Sequence, residues 1–590
     1  LKQTPYDLAN RFQRTAIELV LRQDAVKAGI REAGVFMDGP AVGVVFRKFD
    51  LAKPPARPSN FPATQSAARA PASRSFTGQD FKRILLLMLL VFVLRAWLIG
   101  HTAVAARDSI GFIRYALLLE SSPLQDSLRN SLQHPGYPAI LLAVSWPVRS
   151  FMGTTPISMQ LSAQLASTLA SILLVIPMYY LGRELFDRTA GFWGTALFQC
   201  LPVSSHVMSD ALSEASFLLF ITMALLLAAL ALRSNSVWKF VLCGCFSGLA
   251  YLVRPEGALA MVAVGMVLLG MQLHGAWRRS WSRVCVCGLS LVIGAVAVGG
   301  PYVWVIGSFT NKPTPKEILK SARLDDAEQS KDRPGAVAAG VERPLLASVF
   351  AVYAPEGLKD RRWWGLQAIA TEVIRGYQYL AGLPVLLGLF WFRDRLRLIP
   401  GAWAILVLCL LHVFVLWRLA MAVGYVSERH VLLLIMCGSF SGAAMTAVVG
   451  QRLSQALYGQ STVWPPLVLL LVVTGFGLPE TLKPLHANRA GHRAAGLWLA
   501  EHTIPADPIE DPFCWAHYYA GRVFWEGKTI PQPEGYRPTQ YAVLEQSDHE
   551  HIRLPTIARA QDLAGRGQAV YWWPENVPEA QAKVCVYAVR

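Results

Sequence analysis

Two short segments of this chain carry residue types suited to chemistry at a membrane surface. Ala106-Arg107-Asp108-Ser109-Ile110-Gly111-Phe112-Ile113-Arg114-Tyr115-Ala116 follows the first membrane-length apolar run. Gln133-His134-Pro135-Gly136-Tyr137-Pro138 leads back into apolar sequence. One acid beside a Pro/Gly/aromatic turn is where an enzyme acting on a lipid-borne substrate would place its base, because a carboxylate can accept the proton of an attacking hydroxyl. On position alone, Asp108 reads first as a helix N-cap, a place Asp favours. Ile110, Ile113, Leu117 and Leu118 then recur at helical spacing, predicting an amphipathic helix along the membrane surface.

Further charges gather at the ends of later apolar runs. Asp210 and Glu214 are four apart and share a helix face, as a second acidic patch or as acids tolerated at a helix start. Together with Asp108 they are the oxygen ligands a divalent metal ion would use, and the sequence leaves that metal open. Arg254-Pro255-Glu256-Gly257 predicts a tight turn, with Pro255 suited to the first position of the following helix. Arg254 would there face a phosphate. Arg429, beside His430, would either snorkel to the membrane edge or pair with a phosphate through its forked donors. Arg361, Arg362, Trp363 and Trp364 read as an interfacial anchor, and His134 as a turn hydrogen-bonder.

The elements that must position these residues are membrane helices. The chain of 590 residues is 53% hydrophobic and 16% charged, against about 25% charged in soluble domains. Its apolar residues fall in blocks long enough to cross the hydrocarbon core. The expected spans are 84–100, 157–181, 189–206, 211–232, 238–253, 256–273, 284–307, 373–392, 401–417, 430–449 and 463–478, about eleven in all. The net charge of +16 matches basic cytoplasmic loops, and with no RNP-like motif, zinc finger or basic helix, nucleic-acid binding is excluded. The loop basic residues predict a cytoplasmic N-terminus, outer loops at 101–156 and 308–372, and an extracytoplasmic C-terminal part.

Three regions follow: an N-terminal extension and linker over 1–80, a transmembrane domain over 81–480, and a small α/β domain over 481–590. Arg11–Ala33 reads as a polar helix and Lys53–Ser75 as a Pro/Ala/Ser/Arg linker, with no cleavable signal peptide. In the C-terminal part, Ala494–Glu501 and Pro555–Ala564 read as helices, and Tyr541–Glu545, Ala569–Trp573 and Val584–Val589 as strands. Seven of the nine cysteines lie in apolar runs as small hydrophobes; Cys514 and Cys585 lie outside, where an oxidising compartment would let them pair.

The order of these segments resembles the GT-C glycosyltransferases, and more narrowly the bacterial relatives of protein O-mannosyltransferases and of lipid A aminoarabinose transferases. The resemblance rests on Arg107-Asp108 through Tyr115-Ala116, on His134-Pro135-Gly136-Tyr137-Pro138, on Gly248-Leu249-Ala250-Tyr251-Leu252-Val253-Arg254-Pro255-Glu256-Gly257, and on Gly424-Tyr425-Val426-Ser427-Glu428-Arg429-His430. Gly136 stands where a second Pro is common in the family, and Ser109 where many relatives carry a second acid.

The resemblance implies an α-helical polytopic membrane fold of GT-C type. It implies a sugar donor on a polyprenyl phosphate, and transfer with inversion to a lipid, glycan or protein acceptor on the non-cytoplasmic face of the plasma membrane. Asp108 would be the base. Tyr115, His134, Tyr137, Asp210, Glu214, Arg254, Glu256, Arg429 and His430 would bind substrate. A transporter or flippase for a lipid-linked sugar is the rival reading; such proteins often show matching repeats of broken spans, and no such repeat is evident in the sequence.

Overall fold

Thr77 opens the first span. Its hydroxyl accepts the Asp80 amide at 3.4 Å, and the Asp80 carboxylate accepts the Thr77 amide at 3.0 Å, a reciprocal capping box that satisfies donors a helix start leaves bare. The helix α1 that follows, Gly78–Gly100, has 23 residues, enough for about 34 Å of rise. Leu87, Val91 and Leu98 are fully buried, while Leu85, Leu89, Phe92 and Val93 are each more than half exposed. An outward face of that composition is the one lipid covers.

The computed structural model describes residues 77–275, 280–312, 351–354 and 360–526 without a break, most of 528–546, then 555–589, and the short antiparallel pair β1 (Val35–Phe36) and β2 (Gly43–Val44). The polar helix expected over Arg11–Ala33 and the linker over Lys53–Ser75 lie outside the described residues. Residues 1–75 and 76–590 form two units.

In the second unit, α2 (Arg107–Ser121), α3 (Leu124–Asn130) and α4 (Gly136–Met152) make up the segment after the first span. Next come α5 (Pro156–Leu185), α6 (Arg188–Cys200), α7 (Pro202–Ser209), α8 (Glu214–Ser234), α9 (Val237–Val253), α10 (Ala258–Leu273) and α11 (Trp281–Ile306). After them stand α12 (Arg362–Gly376), α13 (Gly382–Trp391), α14 (Pro400–Val423), α15 (Leu432–Tyr458) and α16 (Trp464–Gly475). Among the described residues, 8 helices are long and apolar enough to cross a membrane, and α9 and α13 are apolar but shorter.

Two expected spans are interrupted. Residues 189–206 divide into α6 and α7 at Leu201-Pro202, because Pro202 has no amide to continue the ladder and starts a new helix instead. Residues 373–392 are broken where Gln378 and Tyr379 take left-handed φ values of 53° and 59°, which no right-handed helix accommodates.

Small residues set the helix packing. A Cβ on Gly244 of α9 would lie 2.0 Å from the Leu291 carbonyl oxygen, and one on Gly294 of α11 would lie 2.1 Å from that of Val241. The two backbones therefore touch through reciprocal glycines, the usual way to bring membrane helices close. The amphipathic stripe of α2 behaves differently from the sequence expectation. Ile110, Ile113 and Ala116 are buried in the core cluster that also holds Tyr137 and Leu141 of α4 and Met159 and Ala163 of α5, and α2 packs on both helices, so protein rather than lipid takes this face.

Beyond the last span, α17 (Ala490–His502), α18 (Trp515–Tyr519) and α19 (Pro555–Arg566) accompany a four-stranded sheet. Its strands β5 (Ile509–Glu510), β6 (Gln540–Glu545), β7 (Gln568–Trp573) and β8 (Val584–Val589) take the order β5-β6-β8-β7, with β5 parallel to β6 and the other pairs antiparallel. Val543 pairs with Val586, and together with Val584 they bury against Ala495, Leu499 and Ala516. Cys514 and Cys585 are both free thiols. A two-stranded ribbon pairs β3 (Ala351–Tyr353) with β4 (Tyr425–Ser427), just before Arg429.

Candidate functional site

The backbone from Thr102 to Ala106 enters the site as an irregular stretch whose polar groups need partners, since unpaired buried amides and carbonyls are costly. The C-terminal region supplies most of them. The Ala103 amide donates to the Leu485 carbonyl at 3.0 Å, and Arg493 Nη1 donates to the Ala103 carbonyl at 3.2 Å. Trp515 Nε1 donates to the Ala105 carbonyl at 2.8 Å, and the Ala105 amide donates to the Tyr519 hydroxyl at 3.1 Å. The Ala106 amide donates to Asp210 Oδ1 at 3.1 Å. Asp210 also accepts the Ala211 amide at 2.8 Å, and its Oδ2 lies 2.6 Å from His486 Nε2. Arg107 Nη2 reaches the Pro512 carbonyl at 3.4 Å. Asp210, expected to face substrate, is 3% exposed and fully engaged in holding this stretch.

Held in this way, α2 begins with Ala106 as its cap residue and with no side-chain cap; Asp108 lies one residue into the first turn. The N-cap reading of Asp108 is therefore corrected. Its Oδ2 instead meets Arg429 Nη1 at 2.5 Å, with the carboxylate side chain 36% exposed. The Arg429 charge holds the Asp108 carboxyl below the usual carboxylate range, against a burial effect that works the other way. Arg429 is set by a 3-10 turn, Glu428–Val431, in which the Ser427 amide donates to His430 Nδ1 at 3.3 Å and His412 Nε2 sits 2.9 Å from the His430 carbonyl. His430 builds this turn and is 9% exposed.

A second ion pair stands beside the first. Arg254 Nη1 is 2.6 Å from Glu214 Oε1, and its Nη2 is 3.5 Å from Glu256 Oε1. The other oxygen of each acid, Oε2, is buried without a hydrogen bond. Arg254 and Lys312 are both within electrostatic reach of Arg429, as is Glu214. Asp108, Arg254 and Arg429 thus lie in one charge cluster with Glu214 and Glu256.

Lys312 was missed from the sequence. It makes no salt bridge among the described residues. Asn311 positions it by donating from Nδ2 to the carbonyls of Leu128, Arg129 and Ser131 at 3.1, 3.2 and 3.1 Å. His134 supports the same loop. Its Nδ1 lies 2.8 Å from the Tyr251 carbonyl and its Nε2 3.0 Å from Thr310 Oγ1, and the ring is 2% exposed. Burial, with Lys312 nearby, pushes the His134 imidazole down to about 4, so it is neutral at physiological pH and serves as a turn hydrogen-bonder. The only sequence signal for Lys312 was a cation at the foot of a basic outer loop; His486, the partner of Asp210, gave none.

Tyr137 is fully buried, its hydroxyl donating to the Ala163 carbonyl at 2.9 Å and lying 3.0 Å from Ser167 Oγ, so it ties α4 to α5. Tyr115 is 3% exposed, its phenol near Tyr302 and Ser131. Gly136 has a packing reason: any Cβ there would lie 2.7 Å from the Leu252 carbonyl oxygen, on the helix that ends at Arg254. Asp108, Asp210 and Glu214 do not converge, since each bonds a different side chain, Arg429, His486 and Arg254 respectively. Among the described residues, no group of three His, Cys, Asp or Glu side chains is placed to hold a metal ion.

Residues 133–300 match the family model of dolichyl-phosphate-mannose-protein mannosyltransferases. Comparison with curated proteins gives no match. Among solved structures, the chain is similar to ArnT from Cupriavidus metallidurans in the apo state, at 12% identity and a TM-score of 0.50, covering 87% of this chain and 98% of that one. The same protein bound to undecaprenyl phosphate gives a TM-score of 0.49 at 12% identity, with the same coverage of 87% and 98%. The Archaeoglobus fulgidus oligosaccharyltransferase in its apo form matches at 13% identity and a TM-score of 0.46, over 75% of this chain; this chain spans 64% of its length. The helix order, the family match over the central spans and the likeness to ArnT along nearly its whole length identify this chain as a polytopic membrane protein of the GT-C glycosyltransferase fold.

Proposed function

We propose that the chain is an integral-membrane glycosyltransferase that moves a sugar from a polyprenyl-phosphate carrier to a hydroxyl acceptor, with inversion at the anomeric carbon. The observation that carries this reading is the Asp108–Arg429 pair at 2.5 Å, accessible at the carboxylate and flanked by Arg254 and Lys312. The family match and the ArnT fold support the donor class: the family model is named for dolichyl-phosphate mannose, and ArnT has been solved with undecaprenyl phosphate. Neither supports a transporter.

The reaction needs few parts. The acceptor oxygen attacks the anomeric carbon as the bond from that carbon to the phosphate oxygen breaks. The phosphate leaves with the bonding electron pair, and the acceptor proton passes to the Asp108 carboxylate. Asp108 orients the hydroxyl throughout and takes its proton late, because Arg429 keeps it ionised. Lys312, which makes no salt bridge among the described residues, binds the carrier phosphate, and Arg254 stabilises that phosphate as it departs. The buried, unbonded oxygens of Glu214 and Glu256 are acceptors for sugar hydroxyls.

In this reading the N-terminus is cytoplasmic, and the Asp108 loop and the C-terminal domain lie outside the plasma membrane. The acceptor is a lipid, glycan or protein. The test is a purified, folded protein given a panel of radiolabelled polyprenyl-phosphate sugars with membrane extract, scored for label transferred and carrier phosphate released. Transfer by the wild type and its loss in Asp108→Asn are expected. No consumption of any donor would sink the reading and revive the transporter.

A further inference from the structure

The end of α1 opposite the Asp108 loop carries a second site. A cavity of about 480 Å³ opens there between α1, α6, α15 and α16. Its polar lining includes Lys82, Arg83, Gln451 and Thr462, and its apolar wall includes Trp193 and Leu470. The charge around it is one-sided. Arg183 and Arg188 stand close by, and the acids present are already engaged. Asp80 is fully buried and bonds both arginines and Tyr179, while Asp187 accepts the Thr189 and Ala190 amides at the start of α6. Among the described residues Arg83 Nη1 is buried and makes no hydrogen bond, while the rest of the guanidinium interacts with the Tyr179 hydroxyl. Basic loops at one membrane end explain a surplus of cations. They do not explain a buried donor without an acceptor, beside a cavity with a cationic rim and an apolar wall.

We propose that this cavity holds the head group of an anionic phospholipid. The phosphodiester would lie against Lys82 and Arg83, and the acyl chains would run along the apolar wall toward Leu470. A basic pocket between membrane helices is the environment in which such head groups are recognised. The phosphate supplies the acceptor that Arg83 Nη1 lacks among the described residues, and the glycerol hydroxyls meet Gln451 and Thr462.

The test is native mass spectrometry of the full-length protein titrated with phosphatidylglycerol, with phosphatidylcholine of the same chains, and with free glycerol phosphate. Three proteins are compared: the wild type, Lys82→Gln/Arg83→Gln, and Arg393→Gln/Arg397→Gln. The last removes two exposed cations from the short helix Arg393–Arg397, whose Arg395 reaches the Phe186 carbonyl at the same end of the molecule. Phosphatidylglycerol should bind the wild type about tenfold more tightly than phosphatidylcholine. The pocket variant should lose about that tenfold, and the short-helix variant should stay within about twofold of wild type.

Equal affinity for the two lipids, equal loss in both variants, or free glycerol phosphate competing as well as the lipid would each overturn the proposal. If the double variant does not fold, Lys82→Gln alone decides, because its side chain is exposed. It should bind phosphatidylglycerol about threefold more weakly, and unchanged binding would overturn the proposal.

Discussion

Asp80 and Asp108 are both carboxylates bonded to arginine, yet they sit at opposite ends of the first span and differ in completion. Asp80 is fully buried and accepts from Thr77, Tyr179, Arg183 and Arg188. Every lone pair has a donor, so no valence is left for a substrate. Among the described residues Asp108 makes one salt bridge, to Arg429, and leaves a third of its side chain accessible. The first arrangement is a fastening, the second a site. The difference lies in what remains unsatisfied, because buried polar groups in a merely structural network are paired. The same contrast separates the completed Asp210 from Glu214 and Glu256, each with one unbonded oxygen.

The largest expected effect breaks the comparison if it fails. Asp108→Asn should lower sugar transfer about 10³-fold and leave thermal stability nearly unchanged. Asp80→Asn should do the reverse, costing about 2 kcal/mol of stability by removing the buried carboxylate that Tyr179, Arg183 and Arg188 share, while folded protein keeps its specific activity. Paired measurements of turnover and melting temperature decide this. If both variants lose activity and stability together, the distinction between fastening and site is wrong.

Arg429→Gln sharpens the same point. Turnover should fall about 10²-fold as the phosphate end of the site loses charge, and the pH profile should move. In the wild type the Asp108 carboxyl is held below its ordinary value of 3.8, so the base is ionised throughout the range above about pH 4. An acid limb from this group should be absent there. Removing Arg429 lifts the carboxyl, and an acid limb should enter the kcat/KM profile at higher pH than in the wild type. Linkage gives the same sign for stability: the pair's contribution is present above the unfolded carboxylate pKa and is lost as pH falls through the folded value. An unshifted acid limb would remove Arg429 as the group that keeps Asp108 ionised.

Much of this was legible in the sequence, and the remainder failed for identifiable reasons. Three of the four strands of the C-terminal sheet were found to within one residue, as Tyr541–Glu545 against Gln540–Glu545, because alternation is local, while the two-residue Ile509–Glu510 is too short to show any. The breaks at Pro202 and at Gln378-Tyr379 were hidden inside continuous hydrophobicity, which records membrane length and not backbone continuity. Asp108 was picked out as the acid after the first span, but its first-read role as a cap was wrong, because the loop clamp places Ala106 at the cap position. Lys312 and His486 went unseen because their meaning comes from partners far away in the chain, and no periodicity encodes such contacts.

The clamp on residues 102–106 gives the next test. His486→Ala leaves Asp210 with one fewer partner and loosens the peptide that carries Asp108. A displacement of an ångström can cost about 10²-fold in rate; since Tyr519 and Trp515 still hold Ala105, about 30-fold in kcat is expected, with KM within about twofold. His486→Gln, which keeps a side-chain donor, should recover part of the loss. If Gln and Ala behave alike, the His486–Asp210 contact is packing and not positioning.

The smallest effect concerns the cation that the sequence missed. Lys312 is placed by Asn311 and by the loop that His134 supports, yet it has no salt-bridge partner among the described residues. By the criterion that separates Asp80 from Asp108, an unpaired cation near Arg254 and Arg429 belongs to a ligand. Lys312→Gln should raise KM for the polyprenyl-phosphate donor about fivefold to tenfold and change kcat less than about twofold, because a carrier phosphate is bound in ground and transition states alike. The donor KM of the wild type should also rise with salt, and that dependence should weaken in the variant. A fall in kcat at constant KM would instead assign Lys312 to the phosphate only as it departs.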